Sequence, residues 1–221
     1  MYAKLFLVIV IAILIYFYYT SLFSIETDQT DILFEYPNFL TDEECDMLIE
    51  ISQNRLEPSK VYDSQQDNND QSQRKSDQCW LHDNDHPVIE KISKKAAELS
   101  GKPMCNQELL QVVKYPEGGF FNPHYDACVG NKEYCKRMNG VGGPRYMTLL
   151  IYLNDDFSGG ETSFPKLNKT AQPQKGKAIV FYNTDQHGKV LNNSMHGGNP
   201  VQNGNKWICN KWVRINEYVN P

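Results

Sequence analysis

The apolar positions of this chain follow three patterns. Residues 5–23 contain no charge and are mostly Leu, Ile, Val, Phe or Tyr. Between Thr41 and Gly101 the apolar residues recur at helical spacing. Thr41 followed by Glu44 is a capping-box pattern, and the helix it opens carries Cys45, Leu48, Ile49 and Ile51. A second helix starts at His86-Pro87, since proline suits the first helical position. Val88, Ile89, Ile92, Ala96 and Leu99 form its apolar stripe, and Gly101 stops it. Between the helices, residues 63–78 are Gln, Asn, Asp and Ser with almost nothing apolar, which predicts a mobile loop. Beyond Cys105 the period shortens. Residues 109–115, 120–125, 146–153, 177–182 and 206–215 are runs rich in β-branched and aromatic residues, punctuated by Gly-Gly, Gly-Pro and Asn-Gly. Helices first and many short strands after predict an α+β fold, mainly β: a two-sheet jelly roll with supporting N-terminal helices.

The first stretch is long enough to cross a bilayer, because nineteen helical residues span roughly 28 Å. A cleaved signal peptide normally has a shorter core that ends in small residues, whereas this run ends Tyr18-Tyr-Thr-Ser-Leu-Phe23. The reading is therefore an uncleaved N-terminal anchor over residues 1–24, an acidic tether over 25–35 and one catalytic domain over 36–221. Lys4 precedes the span, and Glu26, Asp28, Asp31 and Glu35 follow it, which favours a cytosolic N-terminus and a lumenal domain. All six cysteines lie beyond the span, an even number that an oxidising compartment can pair. Asn168-Lys-Thr and Asn192-Asn-Ser are glycosylation sequons, meaningful only in the secretory pathway. Together these features predict a single-pass protein of the endoplasmic reticulum membrane. A net charge of −5 gives no reason to expect nucleic acid as a partner. Oligomeric state leaves no mark in the sequence.

Candidate chemistry is concentrated in the strand region. On a strand, His124 and Asp126 share one side and can hold one metal ion together. A distant histidine would complete a face of two histidines and one carboxylate, which leaves open positions and suits non-heme Fe(II) oxygenases. His196 leads through Gly197-Gly198 to the aromatic strand Lys206-Trp-Ile-Cys-Asn-Lys-Trp212, whose even positions share a face. His187 is the competing ligand, but Asp185-Gln-His-Gly188 reads as a polar hairpin tip. His82 and His86 read as surface or cap residues. A lysine pointing inward at position 206 needs an anion, and a bound carboxylate provides one. The cysteines lack paired Cys-x-x-Cys spacing, so a structural zinc site has little support.

Gln111-Val-Val-Lys-Tyr115, His124-Tyr-Asp126, Arg145-Tyr-Met-Thr-Leu-Leu-Ile-Tyr-Leu153, Gly159-Gly-Glu-Thr-Ser-Phe-Pro165 and His196 through Trp212 resemble the 2-oxoglutarate- and Fe(II)-dependent prolyl 4-hydroxylases. The likeness runs in order over about residues 35 to 218. It implies a double-stranded β-helix, with Fe(II), 2-oxoglutarate, O2 and ascorbate as cofactors. It implies His124, Asp126 and His196 as iron ligands and Lys206 as the partner of the distal carboxylate of 2-oxoglutarate. Tyr115 and Thr162 fall where the family has hydroxyl donors to that carboxylate. Arg145 matches an arginine near the peptide-binding region, and Trp212 an aromatic residue lining the site.

The implied reaction is hydroxylation of peptidyl proline in a proline-rich or collagen-like chain. Phe121 stands where relatives often have tyrosine, and Arg74-Lys-Ser-Asp-Gln-Cys79 keeps only part of the family's segment there. Both departures lie on the substrate side. The polar loop before Arg74 is a candidate lid over a bound peptide. Cys128 and Cys135 bracket a short loop after the ligand strand and are the favoured disulfide pair. The rival functions are the same oxidation on another substrate, such as a lysyl side chain or a small molecule, and a non-catalytic membrane-anchored binding module.

Overall fold

The computed structural model describes residues 31–62, 67–68 and 72–218. The expected span over residues 5–23 lies outside these. Among the described residues no helix is long and apolar enough to cross a membrane.

Along the chain come β1 (Leu33–Tyr36), α1 (Asp42–Ser52), β2 (Glu57–Pro58), β3 (Val61–Tyr62), β4 (Asp67–Asn68), β5 (Arg74–Lys75), β6 (Asp77–Leu81) and α2 (Pro87–Ser100). There follow β7 (Leu110–Tyr115), β8 (Phe120–His124), α3 (Lys132–Asn139), β9 (Arg145–Tyr152), β10 (Ser158–Gly159), β11 (Thr162–Phe164) and β12 (Lys169–Ala171). The last strands are β13 (Ala178–Tyr182), β14 (His196–Gly198), β15 (Val201–Asn203) and β16 (Lys206–Arg214). A seven-stranded sheet has the order β1-β13-β9-β16-β7-β6-β2, and a five-stranded sheet the order β12-β11-β14-β8-β5. Neighbours in both are antiparallel.

Both faces of the larger sheet are buried, which explains why its strands read as nearly continuous apolar runs. Leu149 and Ile151 of β9 and Cys209 and Val213 of β16 share a cluster with Leu48 of α1 and Ile89, Ile92 and Ala96 of α2. The alternate residues Leu150, Tyr152 and Ile208 join Phe164, Ala171 and Val201 between the two sheets. The capping box is formed: Thr41 Oγ1 accepts from the Glu44 N–H and Glu44 Oε2 from the Thr41 N–H. His86 caps α2, and Gly101 ends it in the left-handed conformation at φ 66°.

Two expectations are corrected. Within 63–78, expected as a mobile loop, the described residues include paired strand. Arg74 and Lys75 pair with Phe121 and Phe120, and β6 pairs with β7 from Asp77 to Leu81. Arg74 and Ser76 are buried by bonding polar partners: Arg74 Nε donates to Ser76 Oγ, which donates to Ser59 Oγ. Backbone pairing needs no apolar side chain, so composition missed it. The tether is also shorter than expected, because Leu33–Tyr36 already pairs with β13 as an edge strand.

Candidate active site

His124 and His196 are direct cross-strand partners in the smaller sheet, so neighbouring strand ends bring the two imidazoles together. Asp126 corrects the sequence reading. It does not share a strand with His124, because β8 ends at His124 and Asp126 sits in the bend beyond. Side chains of the larger sheet hold it there: its Oδ2 accepts from Thr148 Oγ1 at 2.6 Å and from Trp212 Nε1 at 2.9 Å. One ligand atom from each of the three residues lies within 4.8 Å of the others.

Each imidazole is anchored through Nδ1, His124 to the Asn122 carbonyl at 2.8 Å and His196 to the Ser194 carbonyl at 2.9 Å. A carbonyl only accepts, so Nδ1 carries the proton and Nε2 keeps a lone pair. Both Nε2 atoms lie 3.7 Å from Asp126 oxygens. Burial and the neighbouring His196 push the His124 pKa down, which keeps its ring neutral. Burial alone would raise the Asp126 pKa, but His196, Arg145 and His124 outweigh it and hold the carboxyl below its ordinary range. Neutral imidazoles and an ionised carboxylate are the forms a divalent ion requires.

The three groups open on a cavity that is partly open to solvent, and Lys206 lies on its wall. Lys206 is 2% exposed, and among the described residues no carboxylate forms an ion pair with it, Glu161 acting only from a distance. Its Nζ donates to the Gly160 carbonyl at 2.6 Å and stands 5.1 Å from the Tyr115 ring and 5.7 Å from the Tyr152 ring. Burial lowers its pKa to about 7, and Glu161 only partly opposes this. Gly160 adopts φ +69°, a conformation that suits glycine and here aims its carbonyl at the ammonium. Tyr115 is the register partner of Lys206, and Thr162 lines the same cavity from the other sheet. The Thr162 hydroxyl accepts from Tyr152 Oη at 2.7 Å.

Arg145 is paired to Glu108 through two bonds of 2.6 and 2.8 Å, and its guanidinium lies 3.6 Å from the Trp212 ring centroid. Phe121 stacks on His124 with centroids 3.6 Å apart, and Arg74 packs over Phe121 at 4.7 Å. His187 lies on an exposed turn, outside the cavity lining. Cys128 and Cys135 are bonded, and Cys45, Cys79, Cys105 and Cys209 are free thiols. Asn168 is exposed; Asn192 is exposed too, but its Oδ1 accepts from Tyr125 Oη at 2.9 Å. Sequence reasoning missed Thr148, Glu108 and Tyr152. Each is an ordinary strand residue whose partner is distant in the chain, so no local spacing marks it.

Residues 110–214 match the model of the 2OG-Fe(II) oxygenase superfamily. Acanthamoeba polyphaga mimivirus has a relative, named for prolyl 4-hydroxylase, that is 34% identical over 182 residues, 82% of this chain and 73% of the relative. The chain belongs to the prolyl 4-hydroxylase family. Prolyl 4-hydroxylase 5 of Arabidopsis thaliana is 34% identical over 203 residues, 83% of this chain and 68% of that one. Among solved structures, the viral collagen prolyl hydroxylase from Paramecium Bursaria Chlorella virus-1, as its 2OG complex, superimposes with a TM-score of 0.67 at 32% identity. That match covers 85% of this chain and 98% of the other.

Proposed function

We propose that this chain is an Fe(II)- and 2-oxoglutarate-dependent dioxygenase that converts peptidyl proline to 4-hydroxyproline in proline-rich or collagen-like chains. One observation carries the reading: a buried lysine that pairs with no carboxylate among the described residues lines the same cavity as a trio of two histidines and one aspartate. A buried cation is costly unless paired, and the distal carboxylate of 2-oxoglutarate supplies the partner. Iron bound by His124, Asp126 and His196, with 2-oxoglutarate and O2, supplies the oxidation: one oxygen atom goes to proline and the other to succinate, with loss of CO2. Lys206, assisted by Tyr115 and Thr162, orients the co-substrate. Arg145, Trp212, Phe121 and Arg74 form the substrate side. A polyproline II segment suits that aromatic wall because its shape exists before binding. Ascorbate is the reductant in this reading, restoring iron oxidised in turnovers without substrate.

The test incubates the full chain with Fe(II), 2-oxoglutarate, ascorbate and (Pro-Pro-Gly)-type or Ser-Pro-rich peptides, followed by mass spectrometry. Gain of one oxygen on proline is expected, and His124→Ala should abolish both that gain and succinate release. Succinate release without oxygen on any proline would favour another substrate. Unchanged succinate release in His124→Ala would overturn the iron site.

Residues 5–23 act in this reading as a signal-anchor, with the catalytic domain in the lumen of the endoplasmic reticulum. The Cys128–Cys135 bridge supports an oxidising compartment. Of the two sequons, Asn168 is the better acceptor, since the Asn192 side chain is engaged by Tyr125 and Ser194 is buried. A glycosidase-sensitive mass shift lost in Asn168→Gln is the expected result.

A further inference from the structure

A carboxylate ligand offers two oxygens, and a metal site that needs open positions benefits when one oxygen is occupied by the protein. At Asp126 both donors fall on Oδ2, Thr148 at 2.6 Å and Trp212 at 2.9 Å. No hydrogen bond reaches Oδ1 among the described residues, and Arg145 Nη1 stands off at 3.9 Å. The Trp212 bond has a fixed direction, because an indole N–H only donates. The Thr148 bond does not: a hydroxyl has one proton and can turn it elsewhere.

Asn183 settles that direction. It lies outside both the candidate ligand set and the cavity lining. Its Nδ2 is 2.8 Å from Thr148 Oγ1, and both residues are buried. An amide NH2 only donates, so Thr148 Oγ1 accepts from Asn183. The one proton of Thr148 is then left for the 2.6 Å contact to Asp126 Oδ2. The Asn183 backbone is held as firmly: its N–H donates to the Tyr146 carbonyl at 2.8 Å, and its own carbonyl accepts from the Leu191 N–H at 2.9 Å. The other end of the amide, Oδ1, is buried and has no hydrogen-bond partner among the described residues.

We infer that Asn183 is a positioning residue that aims the Thr148 hydroxyl at Asp126 Oδ2 and so reserves Oδ1 for the metal. The inference rests on the metal site proposed above. Its test measures Co(II) affinity and the Co(II) ligand-field spectrum of the full chain, with no turnover involved. Asn183→Asp is nearly isosteric but replaces the donor with a group that, once ionised, draws the Thr148 proton away. It should weaken Co(II) binding about 10–100-fold, as removal of a partner behind a metal ligand does, with the deficit widening as pH rises. Asn183→Ala leaves the hydroxyl free to donate and should bind more tightly than Asn183→Asp. A packing role predicts the opposite order, so truncation costing more than the carboxylate would overturn the inference. Co(II) affinity in Asn183→Asp equal to the unsubstituted chain at every pH would do the same. If Asn183→Asp does not fold, Thr148→Val decides: the same 10–100-fold loss is expected, and unchanged affinity overturns the relay. Co(II) binding that survives His124→Ala would overturn the metal site and this inference together, whereas its loss there with Asn183→Asp unaffected overturns the inference alone.

Discussion

Lys206 shows how one side chain carries opposite obligations to folding and to binding. Its ordinary pKa of 10.5 is lowered to about 7 by burial. Between those values the unfolded chain holds the proton and the folded chain does not, so this group's contribution to stability rises with pH across the window and its penalty is full below it. Lys206→Met should therefore raise the melting temperature of the ligand-free protein near neutral pH. The same substitution should weaken 2-oxoglutarate binding by about 10–100-fold, the loss expected for a charge-assisted bond of roughly 1.5–3 kcal/mol. If only the protonated lysine pairs with the carboxylate, the apparent Kd for 2-oxoglutarate should rise about tenfold per pH unit above 7. Calorimetry of 2-oxoglutarate binding across pH 6.5–9 checks both. A flat profile with Lys206→Met also unchanged would mean that the carboxylate binds elsewhere. His124, Asp126, His196 and Lys206 could be picked from the sequence because their side chains do chemistry that other residue types cannot. Thr148, Asn183 and Glu108 could not, since a threonine or an amide acquires its role only from the group opposite.

Among the elements, β16 does the most to build the site. Its even positions Lys206, Ile208, Asn210 and Trp212 line the cavity, while Cys209 and Val213 pack toward the helices. That division was readable from alternation alone. The loop that follows Asp126 was less so: the Cys128–Cys135 bond encloses its first part, and Arg214 Nη1 holds the Asn139 and Gly143 carbonyls at 2.9 and 2.6 Å. The helices are supports. Ile92 of α2 is fully buried against the larger sheet, so Ile92→Ala should cost about 2–5 kcal/mol in urea denaturation. The exposed cap Thr41→Ala should cost about 1 kcal/mol. Thr41→Ala should leave the KM for 2-oxoglutarate unchanged, since α1 contributes nothing to the cavity.

For the whole molecule, the two sheets together make the site. The histidines come from the smaller sheet, while Lys206, Thr148 and Trp212 come from the larger one, so ligands that bridge them should stabilise the fold. At one hundred times its Kd, a ligand bound only by the folded state adds about 2.7 kcal/mol. Co(II) with 2-oxoglutarate should raise the unfolding midpoint accordingly, and the rise should vanish in His124→Ala; an equal rise there would place the ligands outside this cavity.

The chain by itself determined the order of helices and strands, the buried faces of β9 and β16, and the residue types able to hold a metal and an acid. These follow from side-chain period and intrinsic chemistry, which are local. Only the tertiary structure decided that Arg74–Lys75 and Asp77–Leu81 are paired strands and that Asp126 leaves its strand to be held by Thr148 and Trp212. It alone buried a lysine that pairs with no carboxylate among the described residues. Each of these depends on partners far apart in sequence, and a hydrogen bond or a desolvated charge is defined by what stands across from it.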